Sequence, residues 1–141
     1  MQVQKPIERG TLLSEVRAKV TTETIKEITP FAIRAEINYS GEVAGASYSG
    51  RHVETVSLLL RTDGTYDGDA KILQSTNDGD VIVGTLHGVG RVTGPTTSKG
   101  EGEVIFVTQS PKLSWMNNRK CRVEWTTDSA TGELDKKFFA L

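Results

Sequence analysis

Apolar and polar residues alternate along most of this chain, and the alternation predicts where strands lie. From Phe31 to Tyr39 every second residue is apolar or aromatic, and most of the residues between them are polar. A period of two is the pattern of a β-strand that buries one face. The other segments with a strand pattern are residues 12–20, 51–62, 69–75, 80–92, 101–109, 120–127 and 134–140. The apolar spacing in residues 12–20 also fits a helix, and the spacing of Ile25 and Ile28 favours one helical turn in residues 21–29.

Glycines next to Asp or Ser separate several of these segments. Asp63-Gly64, Asp67-Gly68 and Asp78-Gly79 are pairs that supply the positive φ of tight hairpin turns, and Ser40-Gly41 and Ser49-Gly50 are weaker signals. Short turns leave no room for helical crossovers, so the sheet is expected to be antiparallel. Long strands favour a closed barrel, and one of about eight strands encloses side chains or a small ligand. We therefore predict an all-β fold, a single antiparallel β-barrel domain spanning residues 1–141 with at most one short helix.

Charge and cysteine content narrow the function classes. The chain has 17 Lys and Arg residues against 18 Asp and Glu residues, which gives no bulk attraction for nucleic acid. Its single cysteine, Cys121, cannot form an internal disulfide, as is typical of a reducing compartment. The first ten residues contain no apolar segment of the kind a signal peptide needs, and no apolar run is long enough for a membrane helix. We expect a cytoplasmic protein with neither nucleic-acid nor membrane partners.

Two polar side chains continue an apolar strand face in residues 51–62. Val56, Leu58 and Leu60 share one face of this segment, and by alternation His52 and Glu54 point the same way. Polar groups on an interior face are typical of a ligand cavity with polar anchors. The alternative is that this end of the strand has left the core and both side chains are solvated.

Residues 80–92 offer a second pair of candidates. His87 and Arg91 share a face with several valines, while the opposite face carries a row of glycines that permits close approach of another element. If the Val face is the inner one, His87 and Arg91 join His52 and Glu54 inside the barrel. Histidine is the commonest general acid or base near neutral pH, and arginine can hold a carboxylate, enolate or phenolate oxygen. Otherwise His87 is a structural residue.

Further candidates for substrate binding are Tyr39, on the apolar face of residues 31–39, and Glu103, on the face of Ile105 and Val107. Trp115, in the polar segment before residues 120–127, is expected to form a lid over a pocket or to cover a barrel end. No nucleotide-binding fingerprint is complete, and the two histidines and single cysteine do not supply a common metal motif. We expect neither a metal nor a cofactor.

Several motifs in the second half of the chain resemble those of a known family. The run from Thr76 to Ile82, followed by Gly88-Val89-Gly90-Arg91, resembles the central hairpin of small bacterial proteins with an allene-oxide-cyclase-like, or calycin-type, barrel. Phe106-Val107-Thr108 and the run from Leu113 to Asn117 are similar to motifs near the end of some uncharacterised members. The likeness covers about residues 40–141.

This resemblance implies an eight-stranded antiparallel barrel, often a homo-oligomer, with a ligand cavity at one end. It places Arg91, Trp115 and Asn117 near the cavity mouth. Characterised relatives in the wider superfamily are metal-free cyclases or isomerases that act on hydrophobic small molecules, and many others have no known activity.

The sequence therefore favours a cofactor-free isomerase, cyclase or lyase that transfers protons on a small, partly apolar substrate. In this hypothesis His52 or His87 exchanges the proton with the substrate. Glu54 orients the histidine or acts as the base, and Arg91 stabilises the negative charge that develops. Trp115 and Asn117 position the substrate. The alternatives are a small-molecule-binding barrel without chemistry and an oligomeric scaffold whose barrel is filled by its own side chains.

Overall fold

The computed structural model describes residues 7–141 and confirms the predicted all-β architecture. Antiparallel strands form a closed barrel in sequence order, and the last strand pairs with the first. The strands are β1 (Leu12–Ile28), β2 (Ala32–Gly45), β3 (Ser49–Arg61), β4 (Thr65–Thr76), β5 (Val81–Val92), β6 (Thr97–Thr108), β7 (Lys120–Asp128) and β8 (Glu133–Ala140). A short 3-10 helix, Pro111–Met116, joins β6 to β7. The first six residues, on which part of the signal-peptide expectation rests, lie outside the described residues.

Two of the five predicted glycine turns are confirmed. Gly64 and Gly79 have φ values of +88° and +89° and lie between β3 and β4 and between β4 and β5. The turns predicted at Asp67-Gly68, Ser40-Gly41 and Ser49-Gly50 are wrong, because those pairs lie within β4, β2 and β3. No helix in the described part of the chain is long and apolar enough to cross a bilayer.

The helical turn expected in residues 21–29 is also wrong, because β1 continues through this segment to Ile28. Ile25 and Ile28 are three residues apart, which suggested a helix. The register of β1 on β2 shifts between Ile25 and Glu27, so an irregularity in the strand returns Ile28 to the face of Ile25.

The inner face of β5 is the glycine face, so the alternative in which its valines point inward is wrong. Gly84 and Gly88 are buried, whereas Val81, Val83 and Val89 are exposed. A Cβ atom on Gly84 would lie 2.9 Å from the Phe106 ring, and one on Gly88 would lie 2.6 Å from the Trp125 ring. Space for these two large rings therefore decides which face of β5 points inward.

The two ends of the barrel are filled differently. We call the end with the β2–β3 hairpin and the 3-10 helix the lower end, and the opposite end the upper end. At the lower end Phe106 and Phe138 pack edge to face, with ring centroids 5.2 Å apart. Leu113 and Met116 of the 3-10 helix are buried in the same core. The lower end is therefore filled by large side chains, and an interior cavity lies towards the upper end.

Candidate functional site

A cavity of about 270 Å³ occupies the upper end of the barrel interior. Its apolar walls are formed by Ile37, Val56, Leu58, Leu60, Ala70, Leu86 and Leu134. Glu54 and Lys136 are the two charged residues among those that line it. Because Glu54 is farther than Leu58 and Leu60 from the upper end of β3, it lies at the floor.

Lys136 and Glu54 form a buried ion pair at this floor. Lys136 Nζ donates a hydrogen bond of 2.7 Å to Glu54 Oε2, and the two side chains are 4% and 0% exposed. The Lys136 ammonium also lies 5.6 Å from the centroid of the Trp125 ring, within range of a cation–π interaction. The ion pair and the Trp125 ring thus form one charged cluster at the floor of a mostly apolar cavity.

Opposing effects set the pKa of Glu54. Burial is the largest single influence and raises this pKa, because the low-dielectric interior disfavours the carboxylate. The positive charge of Lys136 and the hydrogen bonds from His52 and Lys136 outweigh burial and lower the pKa from 4.5 to about 2. Glu54 is therefore ionised at neutral pH because Lys136 and His52 stabilise its carboxylate.

His52 lies below Glu54 and connects it to a chain of buried polar groups. His52 Nε2 is 2.8 Å from Glu54 Oε1, and His52 Nδ1 is 3.0 Å from Gln74 Nε2. Tyr48 donates a hydrogen bond of 2.8 Å to Gln74 Oε1. With the Gln74 amide in this orientation, its N–H₂ donates to Nδ1, so the proton of a neutral His52 is on Nε2 and donates to Glu54. The chain thus fixes both the orientation of Glu54 and the tautomer of His52.

Tyr39 adds a hydroxyl group to the cavity. It is buried and lines the cavity, and no hydrogen bond from a described residue influences its pKa. Burial raises the pKa of Tyr39, and the nearby carboxylate of Glu54 raises it further. The phenol therefore stays protonated and can donate a hydrogen bond to a ligand.

A second polar chain lines another wall of the cavity. Trp125 Nε1 donates a hydrogen bond of 2.7 Å to the Tyr66 hydroxyl, which is 3.0 Å from Ser98 Oγ. Ser98 Oγ is 2.5 Å from Thr127 Oγ1. Each of these polar groups has a hydrogen-bond partner in the same chain of groups, so this wall holds the Trp125 ring in place beside the Lys136 ammonium.

The structure brings together three of the predicted site residues, His52, Glu54 and Tyr39. His52 and Glu54 point inward as the alternation of residues 51–62 predicts, and both are buried. Lys136 was not among the predicted candidates. Its signal was present in residues 134–140, where Leu134, Lys136, Phe138 and Ala140 share one face and all four are buried. A lysine in the middle of an apolar strand face marks a buried charge that needs a partner.

His87 and Arg91 lie on the outer surface, so their expected place beside His52 and Glu54 is wrong. His87 is 74% exposed, and its Nδ1 is 2.6 Å from Asp69 Oδ1. This carboxylate accepts a hydrogen bond from the imidazolium and raises the pKa of His87. Arg91 is exposed next to an outer depression of about 1070 Å³, whose lining residues carry charges of both signs. Neither side chain reaches the cavity, because the inner face of β5 belongs to its glycines.

Glu103, Trp115 and Asn117 also lie away from the cavity, which corrects their expected role in substrate binding. Glu103 is exposed on β6, with Oε2 3.2 Å from Lys120 Nζ. Trp115 packs against the core from the 3-10 helix, so this segment covers the lower end of the barrel rather than closing the cavity. Asn117 Oδ1 accepts a hydrogen bond of 2.7 Å from the backbone N–H of Thr108 and anchors the end of that helix.

Comparison with solved structures identifies similar barrels, whereas no protein-family model and no curated protein matches the chain. A protein of unknown function from Clostridium acetobutylicum superposes with a TM-score of 0.81 at 20% identity, over 92% of this chain and 95% of that one. A β-barrel-like protein from Acinetobacter baumannii has a TM-score of 0.76 at 17% identity, over 99% and 98% of the two chains. An enzyme from Penicillium herquei has a TM-score of 0.68 at 21% identity, over 99% of both chains. These likenesses establish that the chain shares its β-barrel fold with small proteins from bacteria and a fungus.

Proposed function

We propose that this protein is a cofactor-free acid–base enzyme, an isomerase, cyclase or lyase, acting on a small, partly apolar carbonyl compound in the upper cavity. The observation that carries the proposal is the buried Glu54–Lys136 pair at the floor of a mostly apolar cavity. A buried ion pair is weak evidence for stability, since well-packed apolar residues often serve as well. Perturbed titratable groups beside a cavity are instead typical of functional sites.

The arrangement suits removal of a proton next to a carbonyl group. Tyr39 and Lys136 donate hydrogen bonds to the substrate oxygen, and the Glu54 carboxylate accepts a proton from the neighbouring carbon. The electrons of the broken C–H bond move to that oxygen as an enolate, which the two donors stabilise. When the substrate carries a β,γ double bond, the enolate is a dienolate, and return of the proton to its γ carbon completes an isomerisation with no change in redox state.

Glu54 becomes a stronger base as the reaction proceeds. In the free protein its low pKa makes it a weak base, because Lys136 stabilises the carboxylate. When the ammonium of Lys136 shares its charge with an enolate oxygen, that stabilisation weakens while burial still favours the protonated acid. His52 is a positioning residue in this scheme, because it lies below the carboxylate and holds one of its oxygens.

Exchange of substrate protons for deuterium tests this proposal without knowledge of the natural substrate. A panel of small ketones, aldehydes and enones is incubated with the protein in D₂O, and loss of the α-proton signal is followed by NMR. We expect protein-dependent exchange with panel members that bind the cavity. Glu54→Gln should slow it about 10²–10⁴-fold, the usual contribution of a general base.

The matched control is Glu103→Gln, which removes an exposed carboxylate on the outer surface and should leave exchange unchanged. Exchange that is equally fast in wild type and Glu54→Gln, or absent for ligands that demonstrably bind the cavity, would contradict the proposal.

A non-catalytic binding barrel is the second candidate, and the predominance of apolar side chains in the cavity walls favours it. The similarity to an enzyme from Penicillium herquei supports the first candidate only to the extent that this fold can carry a catalytic site. Tight binding of ketones by wild type and Glu54→Gln, with no exchange by either, would select the binding role.

A further inference from the structure

We infer that the ligand is an elongated, uncharged amphiphile whose polar head reaches Lys136 and Tyr39 and whose apolar tail leaves the barrel along the β1–β2 hairpin. The inference rests on the proposed function, because it takes the upper cavity as the substrate site. It adds the class of substrate and a second binding surface outside the barrel.

At the upper end of the barrel, β1 extends beyond its neighbour β8. β8 pairs with β1 from Leu12 to Lys19 only, whereas β1 pairs with β2 as far as Ile28. At about 3.3 Å per residue, the segment after Lys19 adds roughly 25 Å of strand. The β1 edge of the hairpin therefore rises above the start of β8 at the cavity mouth, while β2 stays paired with β3 as far as Ala32 and Arg61.

The inner face of this hairpin is apolar and continues the cavity wall. Residues directly opposite each other on antiparallel strands point to the same face of the sheet. The relevant pairs are Ile28 with Ile33, Ile25 with Ala35, Leu60 with Ile33 and Leu58 with Ala35. Leu58 and Leu60 line the cavity. We name Ile25, Ile28, Ile33 and Ala35 the hairpin face, and it shares the cavity's side of the sheet.

The hairpin face is a large apolar surface left in water. Ile25 is 63% exposed and Ile28 is 68% exposed. Each methylene group of a ligand that is buried against such a surface contributes about 0.8 kcal/mol, or about fourfold in affinity. Ile25 and Ile28 thus offer binding energy to any ligand tail that emerges from the cavity.

The size and charge of the cavity favour a ligand tail as the occupant of this surface. A volume of about 270 Å³ is below the roughly 300–1,000 Å³ usual for pockets that enclose a drug-sized molecule. A larger ligand must extend beyond the cavity, and the hairpin face is the apolar surface continuous with its wall. The charges of Glu54 and Lys136 cancel, so the lining favours an uncharged head with a hydrogen-bond acceptor.

Methyl ketones of increasing chain length, from pentanone to undecanone, test the inference. They are titrated into protein with ¹³C-labelled isoleucine methyl groups, and dissociation constants and intermolecular NOEs are measured by NMR. We expect affinity to continue rising with chain length beyond the ketone that fills the cavity, by up to about fourfold per methylene. The terminal methyl group of undecanone should give NOEs to Ile25 and Ile28.

Ile25→Thr/Ile28→Thr is the test variant, because Thr keeps the β-branched shape that strands favour. It should abolish the extra affinity of the long ketones and leave pentanone binding unchanged. The matched control is Val81→Thr/Val83→Thr, which alters two exposed apolar residues on the outer face of β5 and should change neither.

Three outcomes would overturn the inference. If pentanone binding depends on Lys136 but longer ketones bind no tighter, the tail site is wrong and the proposed head site stands. If no ketone binds, or if binding is independent of Lys136, the tail site and the proposed head site are both wrong. If size-exclusion chromatography shows a dimer that Ile25→Thr/Ile28→Thr dissociates, a second copy covers the hairpin face.

Discussion

The lower and upper ends of the barrel are built from the same alternation of inner and outer residues, yet one is a solid core and the other is a cavity. At the lower end the inner positions hold Phe106, Phe138 and Ile82, each at most 1% exposed. At the upper end Leu58 and Leu60 are only half-buried and face open space. The pattern of the strands is the same at both ends. What differs is that the Phe106 and Phe138 rings pack on each other at the lower end, which a 3-10 helix also covers.

The charged groups lie at the boundary between these two ends. Glu54 and Lys136 are buried like core residues, yet both line the cavity. The closed lower part of the barrel supplies the burial that makes Glu54 sensitive to its neighbours, and the upper end supplies access for a ligand. The boundary is therefore the place where a buried carboxylate can meet a substrate.

The largest expected effect comes from opening the lower end. Phe138→Ala should lower the free energy of unfolding by about 3–5 kcal/mol, because it removes a fully buried ring and leaves a void. Leu58→Ala should cost only about 1 kcal/mol, because this side chain already faces the cavity. Urea denaturation followed by circular dichroism measures both. Equal losses would show that the upper end is packed as tightly as the lower one.

Breaking the boundary pair should have the next largest effect. Lys136→Met leaves the Glu54 carboxylate buried without its cation, and the free energy of unfolding at neutral pH should fall by about 3 kcal/mol. Adding Glu54→Gln removes the buried charge while keeping an acceptor for His52, so Lys136→Met/Glu54→Gln should recover most of the loss. A double variant as unstable as Lys136→Met alone would mean that Lys136 stabilises the barrel by packing instead of by charge.

Acid should act through the same pair. Since the pKa of Glu54 is about 2 in the folded protein and 4.5 ordinarily, its ionisation stabilises the fold above pH 4.5. That contribution is lost as the pH falls from 4.5 to about 2. The difference in unfolding free energy between wild type and Glu54→Gln should therefore shrink over this interval. A difference that is constant with pH would contradict the ionised pair.

The smallest effect is expected on the outer surface. His87→Ala removes an exposed side chain whose contact with Asp69 is solvated. The melting temperature and the deuterium exchange of bound ketones should both stay at wild-type values. A large loss of exchange in this variant would place the chemistry outside the barrel.

Much of the fold was predictable because a barrel repeats one simple pattern. Residues 31–39 and 51–62 alternate clearly, and the inner face of residues 51–62 was identified correctly, including His52 and Glu54. The inner face of β5 stayed open because hydropathy and burial are opposed in it: small glycines face inward to admit the Phe106 and Trp125 rings, and valines face outward. This reversal of the usual pattern depends on rings that lie outside β5 in the sequence, so β5 alone does not reveal it.

The candidate site was only half predictable for a related reason. Glu54 could be assigned to the interior from β3 alone, but its charge depends on Lys136, which lies on β8. Alternation in residues 134–140 places Lys136 on an apolar face. The pairing of these two residues follows only from closure of the barrel, which brings β8 round to face β3 across the interior.

The pKa of the Glu54 side chain tests the central claim most directly, and ¹³C NMR of glutamate labelled at the δ carbon measures it. In wild type the Glu54 signal should titrate with a midpoint of about 2. In Lys136→Met the midpoint should rise, because burial then acts with less opposition. A wild-type midpoint near 4.5, or one that Lys136→Met leaves unchanged, would show that the two groups are not an ionised pair at the cavity floor.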